Sequence, residues 1–284
     1  MLPVKQLLQN IAFQNNLQLI DVKPLSGGDI NEVFLLKSAE GDFVLKLNDA
    51  SKFPGMFAAE AKGLQLLRNT KSFKIPNVIA EGVFQNASYL ILEYIIPRNK
   101  SNTFWETFAE NLATLHKTTQ KNFGLDHDNY IGSLPQKNSY CEKNSEFYIT
   151  RRLEPQFKLA LANGFHFKNL DRFYRNISEE IPTETPSLIH GDLWNGNFMI
   201  SEMNEVVLID PAVSFAPREM DLAMMKLFGG FSEEIFTTYN SIFPMKSGWE
   251  NRTSLWQLYY LLVHLNLFGS SYLPQVNSAL KKYS

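Results

Sequence analysis

Of the 284 residues only one, Cys141, is a cysteine, so an internal disulfide framework is excluded and a reducing compartment is suited. Long apolar runs are also missing. The best candidate, Leu258 to Phe268, is broken by His264 and Asn266 and falls short of the ~20 residues a spanning helix needs. Charge of one sign is lacking: 27 basic against 29 acidic residues leave a net −2, giving no general attraction to nucleic acid or an anionic membrane. Internal repeats and low-complexity tracts are absent, which removes solenoids and propellers. No GxxxxGK[ST] stretch occurs, so a P-loop nucleotidase is not expected. The first residues place Pro3, Gln6 and Gln9 where a signal peptide needs a basic patch and an apolar block. The expectation is a soluble, cytoplasmic protein with neither nucleic-acid nor membrane partner; its oligomeric state is not readable.

What is present is ordinary globular material, 44% hydrophobic and 20% charged. A chain of this length buries roughly three quarters of its extended surface and is long enough for two lobes. Val4, Leu7, Leu8 and Ile11 share one face of a helix over 3–16. Short apolar segments then alternate with turns, predicting strands at Leu19–Leu25, Val33–Lys37, Phe43–Leu47, Val78–Phe84 and Tyr89–Tyr94. Between the third and fourth, a helix runs from Pro54, suited to a first turn, to Arg68. Beyond Pro97 the pattern is helical over 102–118, 145–163, 167–180, 219–228, 232–242, 247–268 and 274–282, interrupted by a strand cluster at Leu188–Asp210. The fold class is therefore α+β in two lobes: residues 1–94 form a small antiparallel-sheet lobe with one internal helix, and residues 95–284 a larger helical lobe.

The sharpest chemistry lies in His190-Gly191-Asp192-Leu193-Trp194-Asn195-Gly196-Asn197, followed by the apolar strand that ends Ile209-Asp210-Pro211. Phosphoryl transfer needs a carboxylate at the attacking hydroxyl and oxygen ligands holding Mg²⁺ against the phosphates. Asp192 suits the first role; Asn197 and Asp210 supply the few hard oxygens that Mg²⁺ prefers. Upstream, Lys46 lies on the alternating strand Asp42–Asn48 and Glu60 on the following helix, the arrangement by which kinases grip the α- and β-phosphates of ATP. Gly27 and Gly28 fall between the first two strands, where a phosphate-covering loop belongs, although Gly-Gly is also a common hairpin turn. Glu93, Tyr94 and Ile95 connect the lobes and offer a carbonyl and an amide for an adenine ring, or else form a plain edge strand.

Together these motifs resemble the fructosamine/ketosamine 3-kinase family, relatives of the aminoglycoside phosphotransferases within the protein-kinase-like fold. The likeness spans nearly the whole chain. It includes Gly27–Asn31, Ala59–Leu64, Asp128–Gln136, Arg152–Gln156, His190–Asn197, Asp210–Ala212, Arg218–Met224 and Leu227–Phe231. The tryptophan within the loop and the Asn129-Tyr130-Ile131-Gly132 to Pro135-Gln136 block separate this family from antibiotic and choline kinases. The resemblance implies ATP- and Mg²⁺-dependent phosphorylation of the 3-hydroxyl of fructosamine, ribulosamine or erythrulosamine adducts of amines or protein lysines. The labile 3-phosphate is then eliminated, releasing the free amine, which makes the activity a deglycation. Mapped on this chain, Asp192 is the base, Asn197 and Asp210 the metal ligands, Lys46 with Glu60 the phosphate grip, and Glu93 to Ile95 the adenine contact. Some family members have a redox-controlling cysteine in the nucleotide loop; here Asp29 stands there and Cys141 is far away, so redox control through that loop is not expected.

Other residues keep two readings. Trp194 is a wall of the sugar pocket or core; Asn129, Tyr130 and Gln136 line that pocket or fix an irregular loop. His190 packs the loop rather than serving as base, Asp221 caps a helix or braces the loop, and His116 and His264 read as core histidines. His127 and His166 have no metal-ligand partner, and Cys141 is an ordinary thiol. A kinase of another acceptor (aminoglycoside, choline or a free sugar) would share every ATP-site residue. A non-catalytic kinase fold would have lost Lys46, Asp192, Asn197 or Asp210, and all four are present.

Overall fold

The computed structural model describes residues 3–25, 30–99 and 104–284. Helix α1 (Val4–Gln14) precedes five antiparallel strands: β1 (Leu19–Pro24), β2 (Glu32–Ser38), β3 (Gly41–Asp49), β4 (Val78–Phe84) and β5 (Ala87–Glu93). They form one sheet in the order β1-β2-β3-β5-β4, with α2 (Met56–Asn69) inserted after β3. Strand period decides which side each residue serves. Leu36, Leu45, Leu47, Tyr89 and Ile91 face α1, packing on Leu8, Ile11 and Ala12. Leu90 and Leu92 take the other face and pack against Phe57, Leu64 and Leu67 of α2. Lys46 is the cross-strand neighbour of Leu90 and shares that second face. Pro54, expected in the first turn of α2, lies in the preceding turn, because Gly55 at the helix start is left-handed with φ of 71°.

Beyond the sheet come α3 (Phe104–His116), the hairpin β6 (Asn129–Ile131) with β7 (Leu134–Gln136), α4 (Asn144–Phe147), a π-helical turn at Tyr148–Leu153, α5 (Glu154–Ala162) and α6 (Leu170–Glu180). Two small antiparallel pairs follow. β8 (Ser187–Ile189) pairs with β11 (Ser214–Ala216), and β9 (Phe198–Ile200) with β10 (Val206–Leu208). Helices α7 (Glu219–Leu227), α8 (Glu233–Ile242), α9 (Trp249–Phe268) and α10 (Leu273–Lys282) complete the chain. Among the described residues no helix is long and apolar enough to cross a membrane. The single helix expected over 145–163 is instead three consecutive pieces, with a π-helical turn before Pro155. Proline lacks the amide needed for a regular turn there. The β6–β7 hairpin and β11 carry only three residues each, too short for a periodic signal.

One apolar cluster spans both halves: Phe57, Leu64 and Leu67 of α2 and Leu90 and Leu92 of β5 pack with Phe104, Phe108 and Leu112 of α3 and Val206 and Leu208 of β10. Main-chain bonds add register. Lys74 bridges to β10 through its N–H to Val206 O and its O from Leu208 N, and the Arg98 amide donates to Ile200 O. The sheet is thereby held over the β9–β10 hairpin.

Candidate active site

The loop between β8 and β9 carries His190–Asn197, and its turn depends on glycine. Gly191 has φ of 83°, and a Cβ there would sit 2.1 Å from Ala212 O. Asp221, in the first turn of α7 and with no solvent exposure, accepts the amides of His190 at 2.8 Å and Gly191 at 2.9 Å. It thus braces the loop. Asn197 closes the loop from the other end: its Nδ2 donates to Asp192 O at 2.8 Å and Asp192 Oδ2 at 3.0 Å. The Ile209 amide donates to Asn197 O, tying Asp210 to the same turn. Asp210 adopts φ of 55°, a left-handed conformation that Asp tolerates better than most residues.

Across from this loop stands Lys46. Its ammonium lies 2.6 Å from Glu60 Oε1 and 2.6 Å from Asp210 Oδ1. Glu60 faces the cleft because it falls on the Phe57–Leu64–Leu67 stripe of α2. Burial alone would push the Lys46 pKa down, but Asp210 and Glu60 hold it well above that of a free lysine, so it stays charged. Burial raises Glu60, and Lys46 opposes that rise. The Asp192 carboxyl is pushed up to about 7, first by burial and then by Asp210 and Asp221, against the lowering hydrogen bond from Asn197.

Lys46, Glu60, Asp192, Asn197 and Asp210 all line one cavity of about 600 Å³. Among the described residues no cluster of three or more His, Cys, Asp or Glu forms a metal cage. Asn197 spends its Nδ2 on Asp192, and Lys46 holds Asp210 by Oδ1, so Asn197 Oδ1 and Asp210 Oδ2 are the hard oxygens offered to a cation. Two such ligands completed by phosphate and water oxygens fit Mg²⁺, which keeps most of its shell outside the protein.

Other expected residues divide. Trp194, 38% exposed, lines the cavity, as do Asn129 and Tyr130. Asn129 also donates to Val213 O, and the Tyr130 hydroxyl donates to Pro54 O. Gln136 does not reach the wall. It is buried behind it, donating to Asn129 Oδ1 and Ala212 O and accepting from the Tyr259 hydroxyl. Its amide is consumed in holding the β6–β7 hairpin on the segment after Asp210, which corrects its expected place in the acceptor pocket. Glu93, Tyr94 and Ile95 lie outside the cavity lining, where the sheet hands over to the helical half. The Tyr94 amide donates to Asp42 O, while the Ile95 amide has no hydrogen-bond partner among the described residues. Gly27 and Gly28, with Asp29, lie outside the described residues.

His190 is engaged on both ring nitrogens, with Nε2 at Ile209 O and Nδ1 accepting from the Asp192 amide, and burial pushes its pKa down. His264, expected in the core, instead lines the cavity, as do Met224, Phe228, Tyr260 and Tyr272. These come from α7, α9 and the turns after them, more than 25 residues from the loop. An apolar helix such as α9, buried on most of its circumference, offers no periodic cue to its cavity-facing side.

His116 sits with no exposure beneath the loop, 2.9 Å from the Tyr239 hydroxyl and 3.2 Å from Asp221 Oδ2. Burial lowers its pKa more than Asp221 raises it. The unfolded chain therefore binds a proton that the folded chain refuses. Stability is flat above the unfolded value of ~6.5 and falls below it, by up to about 1.4 kcal/mol per pH unit from this group. Thermal melts between pH 8 and 5 should show this loss, and His116→Gln should flatten the curve; an unchanged slope in the variant would place the sensitivity elsewhere.

An antiparallel sheet carrying Lys46, with Glu60 on its inserted helix, set over a helical half with an Asp–Asn loop and a second Asp, defines a protein-kinase-like fold. Aminoglycoside phosphotransferase APH(4)-Ia superposes with a TM-score of 0.63 at 15% identity, covering 99% of this chain and 100% of that one. The family model described as Fructosamine kinase matches residues 2–284, and the chain belongs to that family. A Haemophilus somnus structure described as "Putative fructosamine-3-kinase" superposes with a TM-score of 0.89 at 28% identity over 97% of this chain and 95% of that one. "Probable ketoamine kinase" proteins of Enterococcus faecium and Vibrio parahaemolyticus are 38% and 36% identical. The first covers 92% of this chain and 95% of the relative, the second 98% and 96%.

Proposed function

We propose that this chain is an ATP-dependent ketosamine 3-kinase that phosphorylates the 3-hydroxyl of a sugar joined to an amine, so that loss of the labile phosphate frees the amine. The single observation that carries the reading is the Lys46 ammonium held 2.6 Å from both Glu60 and Asp210, across the cavity that Asp192 and Asn197 line, in a member of the fructosamine kinase family. Residues 1–94 grip the nucleotide: Lys46, positioned by Glu60, neutralises phosphate oxygens, Gly27 and Gly28 cover them, and Glu93 to Ile95 meet the adenine. The Ile95 amide, without a hydrogen-bond partner among the described residues, supports that contact. Residues 95–284 supply the chemistry. Asn197 and Asp210 would hold Mg²⁺, which would neutralise charge on the transferring phosphoryl group. As the acceptor oxygen bonds to phosphorus and the bond to ADP breaks, Asp192 orients the hydroxyl and takes its proton late. Trp194, Tyr130 and Asn129 wall the acceptor. The buried thiol of Cys141, its pKa pushed up chiefly by burial, is unreactive and suits action in the cytoplasm.

The test is an acceptor panel with Mg-ATP, read by phosphorus NMR of the product. Fructosyl-, ribulosyl- and erythrulosyl-amines should become 3-phosphates, while aminoglycosides, choline and free sugars should not. Transfer to one of the latter in preference to every ketosamine would overturn the acceptor assignment.

A further inference from the structure

The segment that follows Asp210 is gripped by a buried polar network whose hub, Arg152, has no part in the roles above. Gln136 Nε2 donates to Ala212 O at 3.2 Å, Asn129 Nδ2 to Val213 O at 2.9 Å, and Arg152 Nη2 to Ser214 Oγ at 3.0 Å. Successive residues 212, 213 and 214 are thus each held by one donor. The donors are also joined to one another. Gln136 Nε2 and Asn138 Nδ2 both donate to Asn129 Oδ1, at 2.8 and 2.9 Å, and Arg152 Nη2 donates to Asn138 Oδ1 at 2.8 Å.

Arg152 is the costly member. The residue is 1% exposed, yet its hydrogen bonds go to the neutral oxygens of Lys137 O, Arg151 O, Asn138 Oδ1 and Ser214 Oγ, with the Phe147 ring 4.5 Å from the guanidinium carbon. Burying a charge with only neutral partners is expensive, and an apolar side chain of similar volume would fill the π-helical turn at lower cost. What the network acts on is a strained position. Asp210 has φ of 55°, and a non-glycine residue keeps a left-handed conformation only where its surroundings impose it. Two residues on, Ala212 is pinned at both polar groups, its amide donating to His190 O at 2.9 Å and its carbonyl accepting from Gln136. A Cβ at Gly63 would lie 3.1 Å from Val213 Cγ2, so the helix that carries Glu60 closes on the same residues.

We propose that Arg152 is a positioning residue for Asp210: directly at Ser214, and through Asn138, Asn129 and Gln136, it fixes residues 212–214 and so keeps the Asp210 carboxylate in the orientation that offers Oδ2 to a cation. This deepens the reading of Asp210 as a Mg²⁺ ligand and rests on it. Groups that orient a metal ligand from behind influence metal affinity by about 10- to 100-fold.

The test measures ADP affinity by calorimetry, in Mg²⁺ and in EDTA, for wild type, Arg152→Met and Ser214→Ala. Mn²⁺ binding to the ADP complexes is followed by electron paramagnetic resonance, with thermal melts alongside. In Arg152→Met the gain in ADP affinity that Mg²⁺ confers should shrink, and Mn²⁺ should bind more weakly, each by about 10- to 100-fold. Affinity in EDTA, which Lys46 and Glu60 govern, should stay close to wild type. Ser214→Ala removes one contact of the guanidinium and should move the same two readings in the same direction by a smaller factor. A merely structural arginine would lower the melting temperature and leave the Mg²⁺ gain and the Mn²⁺ affinity at wild-type values, which overturns the proposal. So does equal weakening with and without Mg²⁺. Should Arg152→Met fail to fold, Ser214→Ala decides: wild-type values in both readings overturn the proposal as well. If ADP binding to wild type gains nothing from Mg²⁺, the metal-ligand reading of Asp210 falls and takes this inference with it, an outcome separate from failure of Arg152 alone.

Discussion

Asp192→Asn lowers kcat by about 10²–10⁴-fold, the usual contribution of a positioned general base, while nucleotide affinity stays within a few-fold of wild type. The substitution is close to isosteric, and the loop has reason to keep its shape. Asn197 donates to both the Asp192 main-chain oxygen and its carboxylate, and an asparagine offers an oxygen in the same place. What is lost is basicity. A carboxyl raised to about 7 by burial takes up a proton far more readily than a free aspartate, and no amide can replace that. No neighbour inherits the role, because both nitrogens of His190 are already engaged. Replacing a carboxylate whose charged form is disfavoured by its surroundings should also leave the melting temperature equal or higher. Steady-state kinetics and nucleotide titration check the result; near-normal turnover would remove Asp192 from the chemistry.

The second large effect is expected at Asp210. Asparagine is the variant of choice, since it tolerates the left-handed backbone at this position, where alanine would add strain. Asp210→Asn removes the carboxylate proposed as a cation ligand and one of the two counter-charges of Lys46. Magnesium-dependent nucleotide binding and turnover should fall together, by at least the ~10²–10³-fold typical of losing one preorganised electrostatic contact. Stability should change far less. Glu60 still holds the buried ammonium, and the Asp210 side chain is 44% exposed, so the lost pairing is screened. Titrating Mg²⁺ and nucleotide separately decides the matter: retained magnesium-dependent affinity would refute the ligand role.

Much of this site could be read along the chain because its parts are local. Lys46 sits on a strand whose alternation already sets its face, and Glu60 falls on a stripe of α2 that the apolar residues mark. Asp192, Asn197 and Asp210 lie within 19 residues, joined by Gly196 and two short strands, so little folding is needed to gather them. Gln136 misled for a physical reason. A buried amide satisfies itself on whatever carbonyls surround it, here that of Ala212, which no local pattern encodes. His264 misled in the opposite sense. Its apolar neighbours suggested core, yet the packing of α9 leaves that one edge bare to the cavity. The π-helical turn at Tyr148–Leu153, which buries Arg152 among Asn138, Ser214 and the Phe147 ring, likewise has no periodic signature.

Sequence alone determined the two-part α+β organisation, the lysine, glutamate, aspartates and asparagine that line the cavity, and the exclusion of internal disulfides, because each is written in short-range periodicity or composition. Tertiary structure alone decided that Lys46 meets Asp210, 164 positions away, and that Asp221 braces the loop. It also decided that α9 brings Tyr260 and His264 to the cavity wall. Those contacts arise when the α2–β5 face and the α3–β10 face bury one shared apolar cluster, and the free energy of that burial is non-directional and leaves no local mark on the residues it brings together.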